Sequence, residues 1–316
     1  MNIGLDMMGG DYAPIEAVKG IALFFADLKA DDIHLTLIGN EEAINQLLLQ
    51  HEVGKNHITV IHASQVIEMQ EHPTKALKEK QQSSIAIGFY LLASGKIDAF
   101  ISAGNTGAMM VGSLFSIKAI NGVSRPTIGA YFPRENGALG LLLDAGINAD
   151  CKPENLLQFA LLGSLYAEHI LGIPTPRVGL VNIGEEEGKG NLLAQATYPL
   201  LKENNQLNFI GNIEGRDILI DKADVMVCEG FTGNVVLKLA ESVYDIVKRR
   251  GIEDEHFERF NFEMYGGVPV LGVNKPVIIG HGISHAIAFK NMILIAQRMI
   301  EKELTEKMRA VFAKCL

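Results

Sequence analysis

The sequence predicts an α/β fold in which a mostly parallel β-sheet is covered by helices on both faces, as a three-layer α/β/α sandwich. Short apolar runs typical of buried strands alternate with longer segments in which apolar residues recur at helical spacing. Loops rich in Gly, Asn and Asp follow the strands, and the chain holds 32 Gly in all. Its 316 residues are enough for one large domain, so we expect a single α/β domain over residues 1–316.

The first third of the chain contains four predicted strands, each followed by a helical pattern. Pro14 suits the first turn of a helix, because the N–H that proline lacks has no helical acceptor there. The predicted strands are residues 3–6, 35–39, 58–62 and 97–101, and the predicted helices are residues 15–28, a helix from Glu41, residues 83–92 and residues 106–117.

The rest of the chain repeats this alternation. A long helix follows Pro153, and its predicted buried face consists of Leu156, Phe159, Ala160, Gly163 and Ala167. The predicted strands are residues 127–132, 139–143, 178–182, 209–210, 225–228 and 277–279, and the remaining helices begin at Val235 and after residue 284.

Polar loops stand at the carboxyl ends of the predicted strands. In a parallel sheet these ends meet at one edge, where α/β proteins bind their ligands. We therefore expect the loops to form one composite polar site. They are residues 6–11, 102–107, 144–148, 184–191, 211–217, 229–234 and 280–284.

The turn at residues 102–107 links a buried strand to a helix and is built almost wholly from Gly, Ser, Asn and Thr. Such a turn leaves backbone N–H groups without acceptors at a helix start, where the helix dipole is positive. It therefore suits an oxyanion or a phosphate. A tight turn without a ligand is the alternative that this single loop leaves open.

Charge and composition argue against several classes of protein. The formal net charge of −9 argues against general nucleic-acid binding, so an anionic substrate would need local cations or backbone N–H groups. Cys151, Cys228 and Cys315 include no CxxC pair and indicate neither a disulfide framework nor a zinc site. The first residues lack a signal-peptide pattern, and no apolar run reaches the length of a membrane span. We expect a cytoplasmic protein.

Familiar catalytic and nucleotide-binding motifs are missing from the sequence. No GxGxxG, GxSxG or HExxH segment occurs. Residues 184–190 come nearest to a phosphate-binding P-loop, but its spacing is one residue short and its three glutamates would repel a triphosphate. Loop carboxylates more often cap turns and helices than bind metal, so we expect no metal and no cofactor. His281 and His285 are candidate acid–base groups, with a structural role as the alternative.

Eight segments together resemble the bacterial phosphate acyltransferase family, in the same order and across nearly the whole chain. The segments are residues 5–14 (LDMMGGDYAP), 71–73 (EHP), 102–108 (SAGNTGA), 143–146 (LDAG), 182–190 (NIGEEEGKG), 211–217 (GNIEGRD), 230–238 (GFTGNVVLK) and 266–273 (GGVPVLGV).

The resemblance implies an activity, a fold and a set of partners. The family transfers a long-chain fatty acyl group from acyl-acyl carrier protein to inorganic phosphate. The acyl phosphate then acylates glycerol 3-phosphate in phospholipid synthesis. The implied fold is like isopropylmalate dehydrogenase and phosphate acetyltransferase. The implied partners are acyl carrier protein, inorganic phosphate, a downstream membrane glycerol-3-phosphate acyltransferase and a second copy of the chain, as a homodimer.

The implied reaction indicates what the loops must supply. Phosphate is partly dianionic near neutral pH and a thiol has a pKa of about 8.5, so neither needs much help from a general base or acid. What remains is to hold two anions together and stabilise the thioester oxyanion. We predict Asn105 and Lys189 as catalytic donors, with a solvated surface role as the alternative for each lysine. The predicted phosphate and substrate ligands are Ser102, Gly104, Thr106, Gly107, Lys75, Lys80, Arg216, Asn234, Lys238 and His281.

The chain departs from the family pattern at three places. Met7 stands where the family has a small residue, and Glu79 replaces a cation. Residues 280–284 (GHGIS) stand where Gly-Ser-Ser is usual, which removes a hydroxyl from the position after Gly280.

A basic cluster of Lys248, Arg249 and Arg250 is the predicted docking site for acyl carrier protein, which is strongly acidic. An ordinary helix C-terminus is the alternative. The short connection around residues 243–262 is the expected dimer or partner element, and the resemblance implies membrane association there. Its four acids, Glu253, Asp254, Glu255 and Glu258, would be repelled by an anionic bilayer, so we expect at most weak peripheral membrane contact.

Three other functions stay open at this point. Fold analogy alone would allow a nicotinamide-dependent dehydrogenase of the isopropylmalate type. A phosphate acetyltransferase acting on coenzyme A thioesters and a non-catalytic module that binds acyl carrier protein are the others. The eight loop segments favour the phosphate acyltransferase.

Overall fold

A computed structural model describes residues 1–27 and 32–313, so Leu28 and Cys315 lie outside the described part of the chain. The chain divides into two compact units. Unit 1 consists of residues 1–120 and 262–305, and unit 2 consists of residues 121–261 and the C-terminal segment from Glu306. The single domain expected from sequence stays a prediction, and each unit is described by itself below.

The strands and helices alternate along the chain. The strands are β1 (Asn2–Asp6), β2 (His34–Gly39), β3 (Ile58–His62), β4 (Ala99–Ser102), β5 (Thr127–Pro133), β6 (Leu139–Leu143), β7 (Arg177–Val181), β8 (Asn208–Ile213), β9 (Val225–Val227), β10 (Gly267–Leu271) and β11 (Val277–Gly280). The helices are α1 (Ile15–Asp27), α2 (Glu41–Gln50), α3 (Pro73–Glu79), α4 (Ser84–Ala93), α5 (Thr106–Gly112), α6 (Pro153–His169), α7 (Leu192–Lys202), α8 (Gly230–Arg249), α9 (Glu255–Glu258), α10 (Ala286–Glu301) and α11 (Leu304–Phe312).

Unit 1 is built on a sheet with the strand order β3-β2-β1-β4-β11-β10, parallel except for β10. In β1 and β4, Leu5 lies opposite Ile101, so the next residues, Asp6 and Ser102, are neighbours at the carboxyl edge. Successive side chains of a strand point to opposite faces of the sheet, and in β1 and β4 almost all of them are buried. Both faces of the sheet are therefore covered. The helices α4 and α10 both pack on β1 and β4.

Unit 2 is built on a second sheet with the order β5-β6-β9-β7-β8, in which only β5 is antiparallel to its neighbour. Leu143 of β6 lies opposite Val227 of β9, and Val227 lies opposite Leu180 of β7. The loops after these three strands therefore begin side by side. The helix α6 packs on β6, β7 and β9.

The core of unit 2 confirms the helical face predicted for residues 153–169. Leu156, Phe159, Ala160 and Ala167 are buried, and Gly163 is buried against the sheet. A Cβ atom at Gly163 would stand 2.3 Å from the Leu143 side chain, so the glycine is what lets α6 approach the sheet.

The α/β fold with a mostly parallel sheet is confirmed, but β10, α3 and α7 were not predicted and two predicted helices have other bounds. We missed β10, which is antiparallel to β11, because its sequence contains Gly and Pro. The helix predicted from Val235 begins at Gly230, since the Glu229 side chain caps it by accepting from Thr232 N at 3.0 Å. The helix predicted through Ile117 changes after Gly112 to a π-helical turn, Ser113–Ile117.

Candidate active site

The carboxyl edge of the unit 1 sheet is organised around Asp6, a buried carboxylate. Its Oδ2 accepts from the Ser102 hydroxyl at 2.6 Å, and its Oδ1 accepts from Met8 N at 2.9 Å. The Ser102 oxygen in turn accepts from Gly104 N at 2.9 Å. Burial raises the pKa of the Asp6 carboxyl, and the hydrogen bonds from Ser102, Ser84 and Met8 act the other way. Because its hydroxyl both donates to Asp6 and accepts from Gly104 N, Ser102 stabilises the turn after β4.

Glycines let the two loops of this edge approach closely. A Cβ atom at Gly9 would stand 2.6 Å from both Asp6 Oδ2 and Gly104 N. At Gly107 it would stand 2.3 Å from the ring of Pro73, at the start of α3. Met7 is fully buried, so its side chain contributes to the core.

Asn105, one of the two predicted catalytic donors, is buried and fully engaged. Its Oδ1 accepts from Ala108 N at 2.9 Å and so caps α5. Its Nδ2 donates to the carbonyl oxygens of Glu68, Met69 and Glu71 at 3.0, 3.1 and 3.0 Å. Both of its amide hydrogens are used in this arrangement. The geometry gives Asn105 a positioning role, and its predicted role as a direct oxyanion donor stays a prediction.

We expect Asn105→Ala to lower the free energy of unfolding by about 2 kcal/mol, combining the cost of a lost cap with that of carbonyls left without a donor. Urea denaturation followed by circular dichroism measures this, with Gln46→Ala as a control on the exposed face of α2. Unchanged stability together with lost turnover would instead support a direct catalytic role for Asn105.

Thr106 and Gly107 lie in the first turn of α5, where a helix leaves N–H groups without helical acceptors. Two lysines were predicted to add charge nearby. Lys80 is held internally, since its Nζ donates to Val66 O at 2.7 Å and to Glu71 at 2.6 Å. Lys75 is exposed and makes no ion pair with any described residue. Lys75 is the more available of the two for an anion.

The histidines of this edge contact aromatic rings. His281 is exposed, with its ring 4.9 Å from that of Phe262. His285 stacks on Tyr12 at 4.5 Å, and its Nδ1 lies 3.6 Å from a Glu16 oxygen. These contacts favour the structural alternative for His285, while the substrate role of His281 stays a prediction.

The carboxyl edge of the unit 2 sheet has its own buried carboxylate, Asp144. It accepts from the backbone N–H groups of Gly146, Ile147 and Asn148 at 3.0, 3.1 and 2.9 Å. Burial raises the pKa of Asp144, and these hydrogen bonds act the other way. Asp144 and the loop that it shapes were part of the predicted polar site, but we had assigned it no role of its own.

The start of α8 packs directly on this loop. A Cβ atom at Gly233 would stand 1.9 Å from the carbonyl oxygen of Asp144. Asn234, a predicted ligand, is exposed, and its Nδ2 lies 3.5 Å from Ala145 O. Its amide therefore remains close to the loop surface.

Residues 182–191 form a loop that is fastened from several sides. Asn182 Nδ2 donates to Lys189 O at 3.0 Å, Gln195 Nε2 donates to Gly190 O at 2.8 Å, and Asn212 Nδ2 donates to Glu186 O at 2.9 Å. Lys189 is exposed, and its Nζ makes no ion pair or hydrogen bond within residues 1–27 and 32–313. A fixed backbone with an available ammonium group suits the predicted anion-binding role.

The other predicted cations of unit 2 have acidic partners. Arg216 pairs with Glu214, and Lys238 pairs with Glu241 at 2.7 Å. Both cations are exposed, and such surface pairs contribute little and exchange readily. Their binding roles stay predictions.

A pocket of about 470 Å³ opens beside this loop, between the ends of β7 and β9 and the starts of α7 and α8. Its lining is partly apolar, with Leu156, Leu180 and Leu193 among the contributors. The polar lining residues are Asn182, Asn191, Glu229 and Thr232. We had not named these four individually. Their place at strand ends and helix starts was the available signal, because Asn191 and Glu229 cap α7 and α8.

Comparisons with known proteins agree with this reading. The family model described as "Fatty acid synthesis protein" matches residues 1–307. A phosphate acyltransferase from Dictyoglomus turgidum is 42% identical, with 97% of this chain and 96% of that protein aligned. One from Desulforamulus reducens is 43% identical, covering 96% of this chain and 95% of that protein.

Solved structures agree on the fold. A phosphotransacetylase from Streptococcus pyogenes superposes with a TM-score of 0.65 over 95% of this chain and 94% of its own, at 18% identity. The EutD phosphotransacetylase from Staphylococcus aureus gives a TM-score of 0.62 at 18% identity, covering 94% of each chain. These likenesses confirm the predicted phosphate acetyltransferase-like fold. The family match and the near-complete alignments establish that the chain belongs to the fatty acid synthesis protein family, together with phosphate acyltransferases.

Proposed function

We propose that this protein is a phosphate acyltransferase that transfers a long-chain fatty acyl group from acyl-acyl carrier protein to inorganic phosphate. The observation that carries the proposal is the 42% identity to a phosphate acyltransferase across 97% of the chain. The acyl phosphate product is a mixed anhydride, reactive enough to acylate glycerol 3-phosphate in a following membrane-bound step of phospholipid synthesis.

The reaction needs positioned charge more than proton transfer. A phosphate oxygen attacks the thioester carbonyl, the C–S bond breaks, and the electron pair leaves with the thiolate of the carrier. A thiolate with a pKa of about 8.5 leaves without strong acid help, and phosphate is already partly dianionic. The enzyme's task is to hold phosphate against the thioester and stabilise the oxyanion, which can lower the barrier by about 7–11 and about 3–4 kcal/mol respectively.

Lys189 is the proposed principal cation. It is supported by its exposed, unpaired ammonium group on a loop fastened through Asn182, Gln195 and Asn212. The first-turn N–H groups of Thr106 and Gly107 are proposed as further anion donors. Asn234, Arg216, Lys238, Lys75, Lys80 and His281 are proposed as substrate contacts.

A trapping assay tests the activity. The purified protein is incubated with palmitoyl-acyl carrier protein and phosphate, and hydroxylamine converts acyl phosphate to a hydroxamate that can be quantified. We expect phosphate-dependent hydroxamate formation. Omitting the phosphate controls for direct attack of hydroxylamine on the thioester. Product formed only from short acyl-coenzyme A would favour a phosphate acetyltransferase, and no product from either carrier would contradict an acyltransferase.

The acidic carrier is proposed to dock at the end of α8. Arg249 and Arg250 are exposed and make no ion pair with a described residue, whereas Lys248 pairs with Glu258 at 2.7 Å. Two free guanidinium groups beside one partly neutralised lysine support a local positive patch on an acidic protein.

We expect Arg249→Glu/Arg250→Glu to raise the KM for acyl-acyl carrier protein about threefold or more at low salt, because reversed charges repel an acidic partner and weaken steering. Steady-state kinetics at two ionic strengths measure this, and the difference should shrink as salt screens the charges. Lys307→Glu/Arg309→Glu on α11 gives the same change of charge as a control. Equal KM values at low salt would rule out docking at this patch.

A homodimer is the proposed assembly. Exposed apolar side chains repeat along one stripe of α8, at Phe231, Val235, Leu239 and Ile246, and a second copy would bury them. No helix within the described residues is long and apolar enough to cross a membrane. We propose a cytoplasmic location with at most weak peripheral membrane contact, which co-sedimentation with anionic liposomes tests.

A further inference from the structure

Lys222 lies in the turn before β9 and joins two strand-end loops of unit 2. Its Nζ donates to Glu185 Oε1 at 2.6 Å, on the loop after β7. The same Nζ donates to Asp217 Oδ2 at 2.6 Å, on the segment after β8. Asp217 also accepts from Glu214 N at 2.8 Å, so the contact is tied to the backbone. Lys222 is not among the residues predicted to contact the substrate.

The loop that carries Lys189 is acidic in sequence, with Glu185, Glu186 and Glu187 in a row. Three unpaired carboxylates would repel any anion approaching Lys189. Glu185 is paired with Lys222 and Glu187 with Lys202 at 2.9 Å, so two of the three charges are balanced by cations from outside the loop. Lys189 is left unpaired among the described residues.

The two balancing lysines differ in their surroundings. Lys202 and Glu187 have side chains 56% and 59% exposed, which leaves that pair strongly screened by water. The Lys222 side chain is 29% exposed and its second partner, Asp217, is 7% exposed. Burial is the largest single influence on the Asp217 carboxyl and would raise its pKa, but the hydrogen bonds from Lys222 and Glu214 N, together with the nearby positive charge, lower that pKa. The pair of Lys222 with Asp217 is therefore the less exposed of the two and is screened less by water.

We infer that Lys222 is a positioning residue for anion binding: it neutralises the acidic loop at Glu185, so that phosphate can approach Lys189 without repulsion from that carboxylate. The inference rests on the proposed function, because it takes phosphate as the anion and Lys189 as its contact. Lys222 acts through Lys189 and needs no contact with the substrate.

The expected effect follows from the charge that is removed. A unit charge about 10 Å from an anion changes its affinity about twofold in a water-like medium and about fifteenfold at an effective dielectric constant of about 20. We expect Lys222→Met to raise the KM for phosphate about three- to tenfold, with kcat changed less than about twofold. The increase should shrink in 0.5 M KCl, because salt screens the freed carboxylates.

Compensating variants separate charge from structure. Glu185→Gln is expected to lower the KM for phosphate in the wild-type background, and Glu185→Gln/Lys222→Met is expected to return it to within about twofold of wild type. Lys202→Met removes a cation paired with the same loop and should change the KM less than about twofold. Glu185 is exposed, so its variant tests the inference even if Lys222→Met fails to fold.

The outcomes are decisive in each direction. A raised KM that recovers when Glu185 is neutralised supports the inference. A wild-type KM in folded Lys222→Met, an increase that Glu185→Gln does not reverse, or no decrease in Glu185→Gln alone would overturn it. Inorganic phosphate binding by calorimetry is measured in parallel. It tests the role of Lys222 even if the wild-type protein forms no acyl phosphate, an outcome that contradicts only the proposed function.

Discussion

Lys189→Ala is expected to lower kcat/KM for acyl transfer to phosphate at least tenfold. The decrease could reach the hundred- to thousandfold loss, about 3–4 kcal/mol, that is typical when an enzyme loses one oxyanion donor. The physical reason is that an ammonium group without an acidic partner is lost from a loop whose remaining charges are carboxylates. The loop itself should keep its shape, because its fastenings involve the Lys189 backbone carbonyl and other residues.

The controls for Lys189 separate its charge from its position. Lys189→Arg keeps the charge and should recover part of the activity. Lys78→Ala removes an exposed lysine of α3 that makes no ion pair with a described residue and should leave the kinetics unchanged. The hydroxamate assay under phosphate and acyl-carrier titration gives kcat and KM separately. Wild-type kinetics in folded Lys189→Ala would make Lys189 an ordinary surface residue of the loop.

Gly233→Ala is expected to destabilise unit 2 by at least about 3 kcal/mol or to prevent its folding. The new methyl group would stand 1.9 Å from the Asp144 carbonyl oxygen and 3.2 Å from Cys228 Sγ. The first of these is a backbone atom, so no side-chain rotation relieves the clash. Either α8 or the loop at residues 144–148 would have to move, and activity should be lost with the packing.

Gly188→Ala is the matched control for Gly233, since a Cβ atom at Gly188 meets nothing within 4 Å. Thermal unfolding by circular dichroism and urea titration should place this control close to the wild type. Normal thermal and urea midpoints in Gly233→Ala would show that α8 and the Asp144 loop are not packed as tightly as described.

The sequence alone predicted the α/β fold and the polar loops, because both depend on local pattern. Periodicity 2 or 3.6 identifies strands and helices from neighbouring residues, and Gly, Asn and Asp mark the loops between them. The face of α6 was predictable for the same reason, since Leu156, Phe159 and Ala160 recur at helical spacing and are buried. The short strand β10 contains Gly and Pro, which interrupt the apolar run typical of a buried strand. Its pairing with β11 in the structure identifies it as a strand.

The roles of individual polar residues were decided by partners distant in sequence. Asn105 was predicted as a donor from its place in the loop, and the fold brings its amide to the carbonyls of Glu68 and Glu71, more than 30 residues earlier in the chain. Lys80 was predicted as a phosphate ligand from its charge, and the fold gives it partners in Glu71 and Val66, while its phosphate role stays a prediction. A side chain's hydrogen-bonding capacity is limited, so whichever groups the fold brings near determine whether it remains available.

Lys222 is a residue whose proposed role depends on partners distant in sequence and was not predicted from sequence. Nothing near it in sequence marks it as functional, since it lies in a short turn before β9. Chain folding brings it to Glu185, 37 residues earlier, and so changes the charge of the loop that carries Lys189. Local sequence determined which residues carry charge at the strand ends. The tertiary structure decided which charges are balanced and which are left for a ligand, because electrostatic pairing depends on distance in space and not on separation along the chain.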